Sequence, residues 1–304
     1  MSPLGSPLIG AAELAALLAA TSADPEGRPT LLDVRYRVGG PGGRDEYESG
    51  HLPGARYVDL DADLAAAPAT GPASGGAEGG RHPLPDPARF QEAMRRVGVR
   101  HAAPVVVYDD WEGRAAARAW WLLRHHGHRD VRVLDGGLAA WRALPGSALE
   151  AGPETGPETG SEPQPAADFT VDRHAVHLPS VSAERVPQAE VLIDARAPER
   201  YRGEVEPLDP VAGHVPGAVN VPTDANLAPG GTFADPDRLR ATYAAVGAVP
   251  GTEVVVYCGS GVTATHDILA LELAGVLATL YPGSWSGWIT DPDRPVEPAP
   301  GHRP

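Results

Sequence analysis

The chain carries two copies of one unit. Leu31-Leu32-Asp33-Val34-Arg35 recurs as Leu192-Ile193-Asp194-Ala195-Arg196, and Gly50-His51-Leu52-Pro53-Gly54-Ala55 recurs as Gly213-His214-Val215-Pro216-Gly217-Ala218. Val105-Val106-Val107-Tyr108 returns as Val254-Val255-Val256-Tyr257, and Leu134-Asp135-Gly136-Gly137 with Trp141 as Leu280-Tyr281-Pro282-Gly283 with Trp288. Four blocks in the same order at near-constant spacing exclude a short-period solenoid and require a duplicated domain. The 304 residues fit two domains better than one.

Between the copies lies Glu150-Ala151-Gly152-Pro153-Glu154-Thr155-Gly156-Pro157-Glu158-Thr159-Gly160-Ser161-Glu162-Pro163. It has no apolar periodicity, so it cannot bury enough surface to offset its ordering entropy. The expected division is a first domain over 1–149, an acidic Pro/Gly linker over 150–167 and a second domain over 168–304. Ala65 to Gly80, rich in Ala, Gly and Pro, reads as a long surface loop inside the first copy.

Short β-branched runs alternate with helical patterns in each copy. Leu31–Val34, Val105–Tyr108 and Val131–Leu134 read as strands of the first, with helices over Pro87–Val97 and Arg114–His125. The second copy gives strands over Val191–Asp194, Val254–Tyr257 and Leu277–Leu280, with helices over Asp235–Val246 and Val262–Ala274. Continuous apolar strands between helices predict an α/β fold: a mainly parallel sheet flanked by helices on both faces, twice. Such sheets place their sites at the carboxyl ends of strands.

Several function classes fall away on composition. A formal net charge of -15 disfavours nucleic acid, which needs a basic face. No apolar stretch approaches the roughly 18–20 residues of a membrane helix. The apolar patch Leu8 to Ala20 is interrupted by Glu13 and preceded by no Lys or Arg, so it reads as an amphipathic helix rather than a signal peptide. The expected location is the cytoplasm. One cysteine excludes an internal disulfide framework, argues against a Cys-rich zinc site and fits a reducing compartment.

That cysteine, Cys258, follows the strand Val254–Tyr257 and opens Cys258-Gly259-Ser260-Gly261-Val262-Thr263-Ala264. Gly259 and Gly261 allow a tight turn that points several N–H groups inward, and the next helix aims its positive end at the same space. Both features favour a thiolate, a persulfide anion or a bound oxyanion. Ser260 and Thr263 offer hydroxyl donors. A buried cysteine acting only as a small hydrophobe is the plain alternative. A phosphatase loop would place an arginine six residues after the cysteine, where Ala264 stands. A papain-like site would need an oriented histidine, and nothing in the sequence brings His214 or His266 there. The neighbourhood offers too few ligands for a metal.

Together, the cysteine loop, the two Gly-His-x-Pro-Gly-Ala blocks, Leu134-Asp135-Gly136-Gly137 and Gly283-Ser284-Trp285 resemble the tandem-domain rhodanese family of sulfurtransferases over nearly the full length. The resemblance implies two rhodanese-like domains, the second catalytic and the first not. The first copy has Asp109 in place of Cys258, and Trp111 and Glu112 in place of Ser260 and Gly261. Cys-Gly-Ser-Gly-Val-Thr-Ala looks like the 3-mercaptopyruvate sulfurtransferase type. A loop without Lys or Arg gives less attraction for dianionic thiosulfate.

The implied reaction passes sulfane sulfur through a Cys258 persulfide to a thiol, thioredoxin or cyanide, without metal or cofactor. The alternatives are a thiosulfate:cyanide sulfurtransferase using the same nucleophile, and a sulfur carrier active only when docked to a partner. By the resemblance, Ser260 and Asp61 assist catalysis, with Asp59 as the other candidate acid. Gly259, Gly261, Val262, Thr263, Arg200 and His82 bind the donor. The family's second substrate arginine falls near Asp209, a charge reversal, with Arg202 or Arg196 as candidate replacements. His51 and His214, present in both copies, read as structural. Trp285 and Trp288 are expected near the cysteine loop, and Trp120 and Trp121 in the core or domain interface.

Overall fold

Each copy of the repeat folds into one fully parallel sheet. In the first are β1 (Leu8–Ile9), α1 (Ala11–Ala20), β2 (Thr30–Asp33), α2 (Gly43–Ser49), β3 (Arg56–Tyr57), α3 (Leu60–Asp63), α4 (Pro87–Arg96), β4 (Val105–Tyr108), α5 (Ala116–His125), β5 (Val131–Leu134) and α6 (Gly137–Ala143). The second holds β6 (Val191–Asp194), α7 (Pro198–Tyr201), β7 (Val219–Asn220), α8 (Pro236–Ala244), β8 (Val254–Tyr257), α9 (Ala264–Leu273), β9 (Ala278–Leu280) and α10 (Ser284–Trp288). This computed structural model describes residues 5–24, 26–37, 39–40, 42–67, 79–154, 167–172 and 178–297.

The sheet orders are β1-β5-β4-β2-β3 and β7-β6-β8-β9. A parallel bridge from Ser180 to Leu280 extends the second sheet beyond β9, as β1 does beyond β5. The register also repeats, with Asp33 opposite Tyr108 and Asp194 opposite Tyr257. Helices α4 and α8 open alike. Asp86 and Asp235 each accept two backbone N–H groups of the first turn, and a proline follows each. Such a cap satisfies donors that the helix itself cannot.

The Val-Val-Val-Tyr strands β4 and β8 are buried along their whole length. Strand side chains alternate between faces. Val105 and Val107 therefore join Val254 and Val256 in one core shared by both units, together with Trp120 and Trp121 of α5 and Ile268 and Leu269 of α9. Val106 and Tyr108 face a separate outer core of the first unit, and Val255 and Tyr257 one of the second. By this alternation the next residue, Cys258, also faces the shared core.

Leu8–Ala20 is not one helix: Leu8 and Ile9 pair with Val133 and Leu134, and Gly10 separates this short strand from α1. Helices α5 and α9 each start two residues later than expected, because tight loops precede them. Leu277 is 65% exposed and lies outside β9. Residues 155–166 of the expected linker and 68–78 of the expected loop lie outside the described residues. Among the described residues, no helix is long and apolar enough to cross a membrane.

Candidate active site

The end of β8 delivers Cys258 into a loop held on both sides. Cys258 is 2% exposed. Its N–H donates to Ser284 Oγ at 3.1 Å, and its carbonyl accepts from Trp285 N at 2.9 Å. The Gly261 N–H points at Cys258 Sγ, 3.2 Å away. Gly261 has φ +81°, and a Cβ there would lie 2.5 Å from the Pro282 carbonyl oxygen, so both backbone and space demand glycine. Ser284 supports the loop from a left-handed φ of 52°, a conformation that costs a non-glycine residue energy and collects at functional sites. Val262 is buried beneath the loop, and Thr263 precedes α9 without a side-chain capping bond.

The first unit keeps this loop and fills it differently. Asp109 Oδ1 accepts the Trp111 and Gly113 N–H groups at 2.9 and 2.8 Å. Its Oδ2 accepts those of Ala115 and Ala116 at 2.8 and 2.9 Å. Glu112 even retains the positive φ (57°) of its counterpart Gly261. This turn of backbone is thus an anion cradle. One copy occupies it with its own carboxylate, and the other presents a sulfur.

The first unit also supplies a wall of the site. His82 Nδ1 lies 2.7 Å from Ser260 Oγ, and His82 Nε2 lies 3.1 Å from Asp61 Oδ1. With Nε2–H donated to the Asp61 carboxylate, Nδ1 accepts the Ser260 hydroxyl. Tyr36 packs edge-on against His82 and brings its hydroxyl 3.3 Å from Nε2. Burial lowers the His82 pKa below its ordinary value; Arg118 and Arg81 act in the same sense and Asp61 opposes them. Asp59 has another task, capping α3 through the Asp61 and Ala62 N–H groups.

Arg118 ties these pieces together from α5. It is fully buried and donates to the carbonyls of Gly261 at 3.0 Å and His82 at 3.1 Å, and to that of Leu64. Among the described residues it has no carboxylate partner. The guanidinium is pushed down to about 10 by burial, with Cys258 opposing, and so stays charged at neutral pH. The sequence reading missed Arg118, because a positive charge within an apolar helix gives no sign of which loop it will meet.

Arg200 reaches the loop: a Cβ on Gly259 would lie 3.3 Å from its Nη1. It pairs with Glu206 at 2.6 Å and with Asp209 at 3.4 Å. Neither candidate replacement for a second arginine is available. Arg202 is bound to Glu204, and Arg196 is locked on Asp194 at 2.7 Å. The second guanidinium at Gly259 is Arg81, which the sequence reading did not single out; its Nη2 would lie 3.0 Å from the same Cβ.

His51 and His214 stand away from the thiol in matching roles. Each stacks on a tyrosine, Tyr47 or Tyr201, and bonds that tyrosine's carbonyl through Nδ1 at 2.9 or 2.8 Å. His266 is taken up by Phe233 and the Glu112 carbonyl. Trp285 flanks the cysteine loop through its backbone, whereas Trp120 and Trp121 are wholly buried in the shared core. Among the described residues, no group of three or more His, Cys, Asp or Glu side chains could hold a metal ion.

Twin parallel α/β units with one thiol, cradled in the second, define the tandem rhodanese class. The chain belongs to the rhodanese family of sulfurtransferases, with the Rhodanese-like domain matching residues 11–144 and again 180–291. It is similar to the putative thiosulfate sulfurtransferase SseB of Mycobacterium tuberculosis, 45% identical over 97% of this chain and 98% of that protein. It is as similar to the probable 3-mercaptopyruvate sulfurtransferase of Pseudomonas aeruginosa, 45% identical over 92% of this chain and 95% of that one. Among solved structures, that of SseA from Escherichia coli, a 3-mercaptopyruvate sulfotransferase, matches with TM-score 0.72 and 33% identity, over 92% of this chain and 99% of SseA.

Proposed function

We propose that the chain moves sulfur from 3-mercaptopyruvate to a thiol, thioredoxin or cyanide acceptor in the cytoplasm, with 1–149 as the non-catalytic domain, 150–167 as the linker and 168–304 as the catalytic domain. The observation that carries this reading is the Ser260–His82–Asp61 hydrogen-bond chain, whose serine stands two residues after Cys258 on the same loop. In the first half-reaction the Cys258 thiolate attacks the donor sulfur and forms an S–S bond. The donor's C–S bond breaks, and its electron pair passes to the enolate of pyruvate. That enolate must take a proton on carbon to become pyruvate. Ser260 is the proton donor suited to this; the proton it gives to carbon is replaced from solvent through His82, which becomes doubly protonated in passing and which Asp61 orients. Burial disfavours the doubly protonated ring, so His82 passes that proton on to Ser260 readily.

In the second half-reaction an acceptor thiolate or cyanide attacks the outer sulfur, and the electron pair of the S–S bond returns to Cys258. Gly259, Gly261, Val262 and Thr263 supply the loop backbone that stabilises the anionic sulfur. Asp109 supports this assignment, since the matching backbone of the first unit binds a carboxylate through four N–H groups. Arg200 binds the donor carboxylate.

Thiosulfate is the second reading for the donor, favoured by the similarity to the Mycobacterium tuberculosis protein. Its leaving group, sulfite, needs no proton on carbon, so the Ser260–His82–Asp61 chain would have no work to do. Steady-state turnover with both donors in parallel is the test. A higher kcat/KM for 3-mercaptopyruvate is expected. A higher value for thiosulfate reverses the donor assignment, and activity with neither overturns the reaction.

A further inference from the structure

Two guanidiniums, one from each unit, converge over the backbone of Gly259. Asp209 lies between them. One of its oxygens pairs with Arg81 Nη1, and the other accepts from Arg200 Nη2 at 3.4 Å. The Asp209 side chain is only 5% exposed, whereas that of Arg81 is 32% exposed. Arg81 is also fixed through its backbone: its N–H donates to Ser286 Oγ at 3.1 Å, and the Ser286 N–H donates to the Gly259 carbonyl at 2.9 Å. The same serine therefore registers Arg81 and the cysteine loop to one another. Glu206 holds Arg200 from its other side at 2.6 Å.

We propose that Arg81 and Asp209 form a donor-selecting pair. Arg81 brings a second guanidinium from the first unit to the donor's anionic end, beside Arg200. Asp209 orients both arginines and holds down the net charge that the donor meets. The inference rests on the sulfurtransferase reading above and adds what sets its donor preference. Arg81 and Arg200 are balanced by Asp209 and Glu206, so the site offers directed hydrogen bonds with little net positive charge. A planar carboxylate is well served by two guanidinium forks. A dianion feels the fixed Asp209 charge twice over, and Arg118, the cation of the site with no carboxylate partner among the described residues, is fully buried with its donors on the carbonyls of Gly261, His82 and Leu64, so it offers the donor no hydrogen bond. Selection here works by a repulsive element as much as by an attractive one.

Steady-state kinetics of the full chain with 3-mercaptopyruvate and with thiosulfate test the pair, with thermal melts to establish folding. Arg81→Ser is expected to raise KM for 3-mercaptopyruvate at least about tenfold, the loss of a charge-assisted hydrogen bond. Its kcat should stay within about threefold, because the interaction serves binding rather than the chemical step. Arg81→Lys keeps the charge without the fork and should fall between wild type and Arg81→Ser. Asp209→Asn should raise kcat/KM for thiosulfate relative to 3-mercaptopyruvate by about tenfold, the effect of one uncompensated charge at short range. An unchanged KM in a folded Arg81→Ser protein overturns the role of Arg81. Asp209→Asn shifting both donors equally overturns the role of Asp209, and it decides the question if Arg81→Ser does not fold. A wild-type protein inactive on both donors refutes the underlying reaction, whereas an active wild type with both variants unmoved refutes the pair alone.

Discussion

Cys258 and Asp109 occupy one position in two copies of the same loop, and the comparison isolates what the position does. Asp109 accepts from four backbone donors, which pull its pKa down against the burial that raises it. Where the second copy places sulfur, the Gly261 N–H points at Cys258 Sγ, 3.2 Å away. In the proposed reaction the proton for the leaving enolate depends on His82, whose two ring nitrogens meet Ser260 and Asp61. Replacing His82 with Gln should lower kcat for 3-mercaptopyruvate by about a hundredfold or more, the usual contribution of a positioned acid or base. The same variant should change thiosulfate turnover far less, because sulfite departs without a proton on carbon. Parallel kinetics with the two donors check this.

At the scale of elements, the strands were legible because β4 and β8 are unbroken apolar runs and because each was predicted twice. Helix starts were less so. α5 and α9 each follow a loop whose first residues turn back on the strand end, and no local pattern separates such a loop from a first helical turn. Leu8 and Ile9 read as part of a helix because their pairing partner, β5, lies far along the chain. The cysteine loop itself was legible, since Gly-x-Gly after a strand has few uses. The structure adds the reason for the second glycine. Gly261→Ala places a methyl group 2.5 Å from the Pro282 carbonyl, at φ +81°. It should cost about 1–3 kcal/mol in stability and reduce Cys258 transfer, as read by urea unfolding and by turnover. The first unit tolerates Glu112 at the equivalent φ, so the conformation alone is bearable, and the close approach of Pro282 makes the difference.

At the scale of the whole molecule, the site is an interface. Its nucleophile comes from the second unit, whereas His82, Asp61 and Arg81 come from the first. His82 and Asp61 were reached by resemblance. Arg81 and Arg118 were not, because the partners of Arg81 lie 128 residues away at Asp209 and those of Arg118 reach 143 residues to Gly261. No periodicity in one copy reports on a contact with the other. The interface also contains a pH-sensitive element. His266 donates to the Glu112 carbonyl across the units, and its pKa is pushed down to about 3, chiefly by burial with Arg114 adding to it.

An unfolded chain takes up that proton near the ordinary histidine value, whereas the native chain refuses it. Stability from neutral His266 is therefore complete above about pH 6.5 and declines by up to about 1.4 kcal/mol per pH unit below it, until the native group titrates. His82, His125 and His128, also lowered by burial, add to the trend. Buried Asp267, whose pKa is raised, opposes it. The informative quantity is the difference between wild type and His266→Asn. Between pH 7.5 and 5.5 in urea unfolding, the variant should lose about 1 kcal/mol less than wild type.

The persulfide on Cys258 is the claim on which the rest depends, and intact-mass analysis after brief exposure to 3-mercaptopyruvate tests it directly. The wild-type chain should gain the mass of one sulfur atom, release one pyruvate per chain and lose the added sulfur on addition of cyanide or a thiol. Cys258→Ser should gain nothing and turn over neither donor. Sulfur gained by Cys258→Ser, or steady turnover by the wild-type chain without any sulfur-bearing intermediate, would contradict the account.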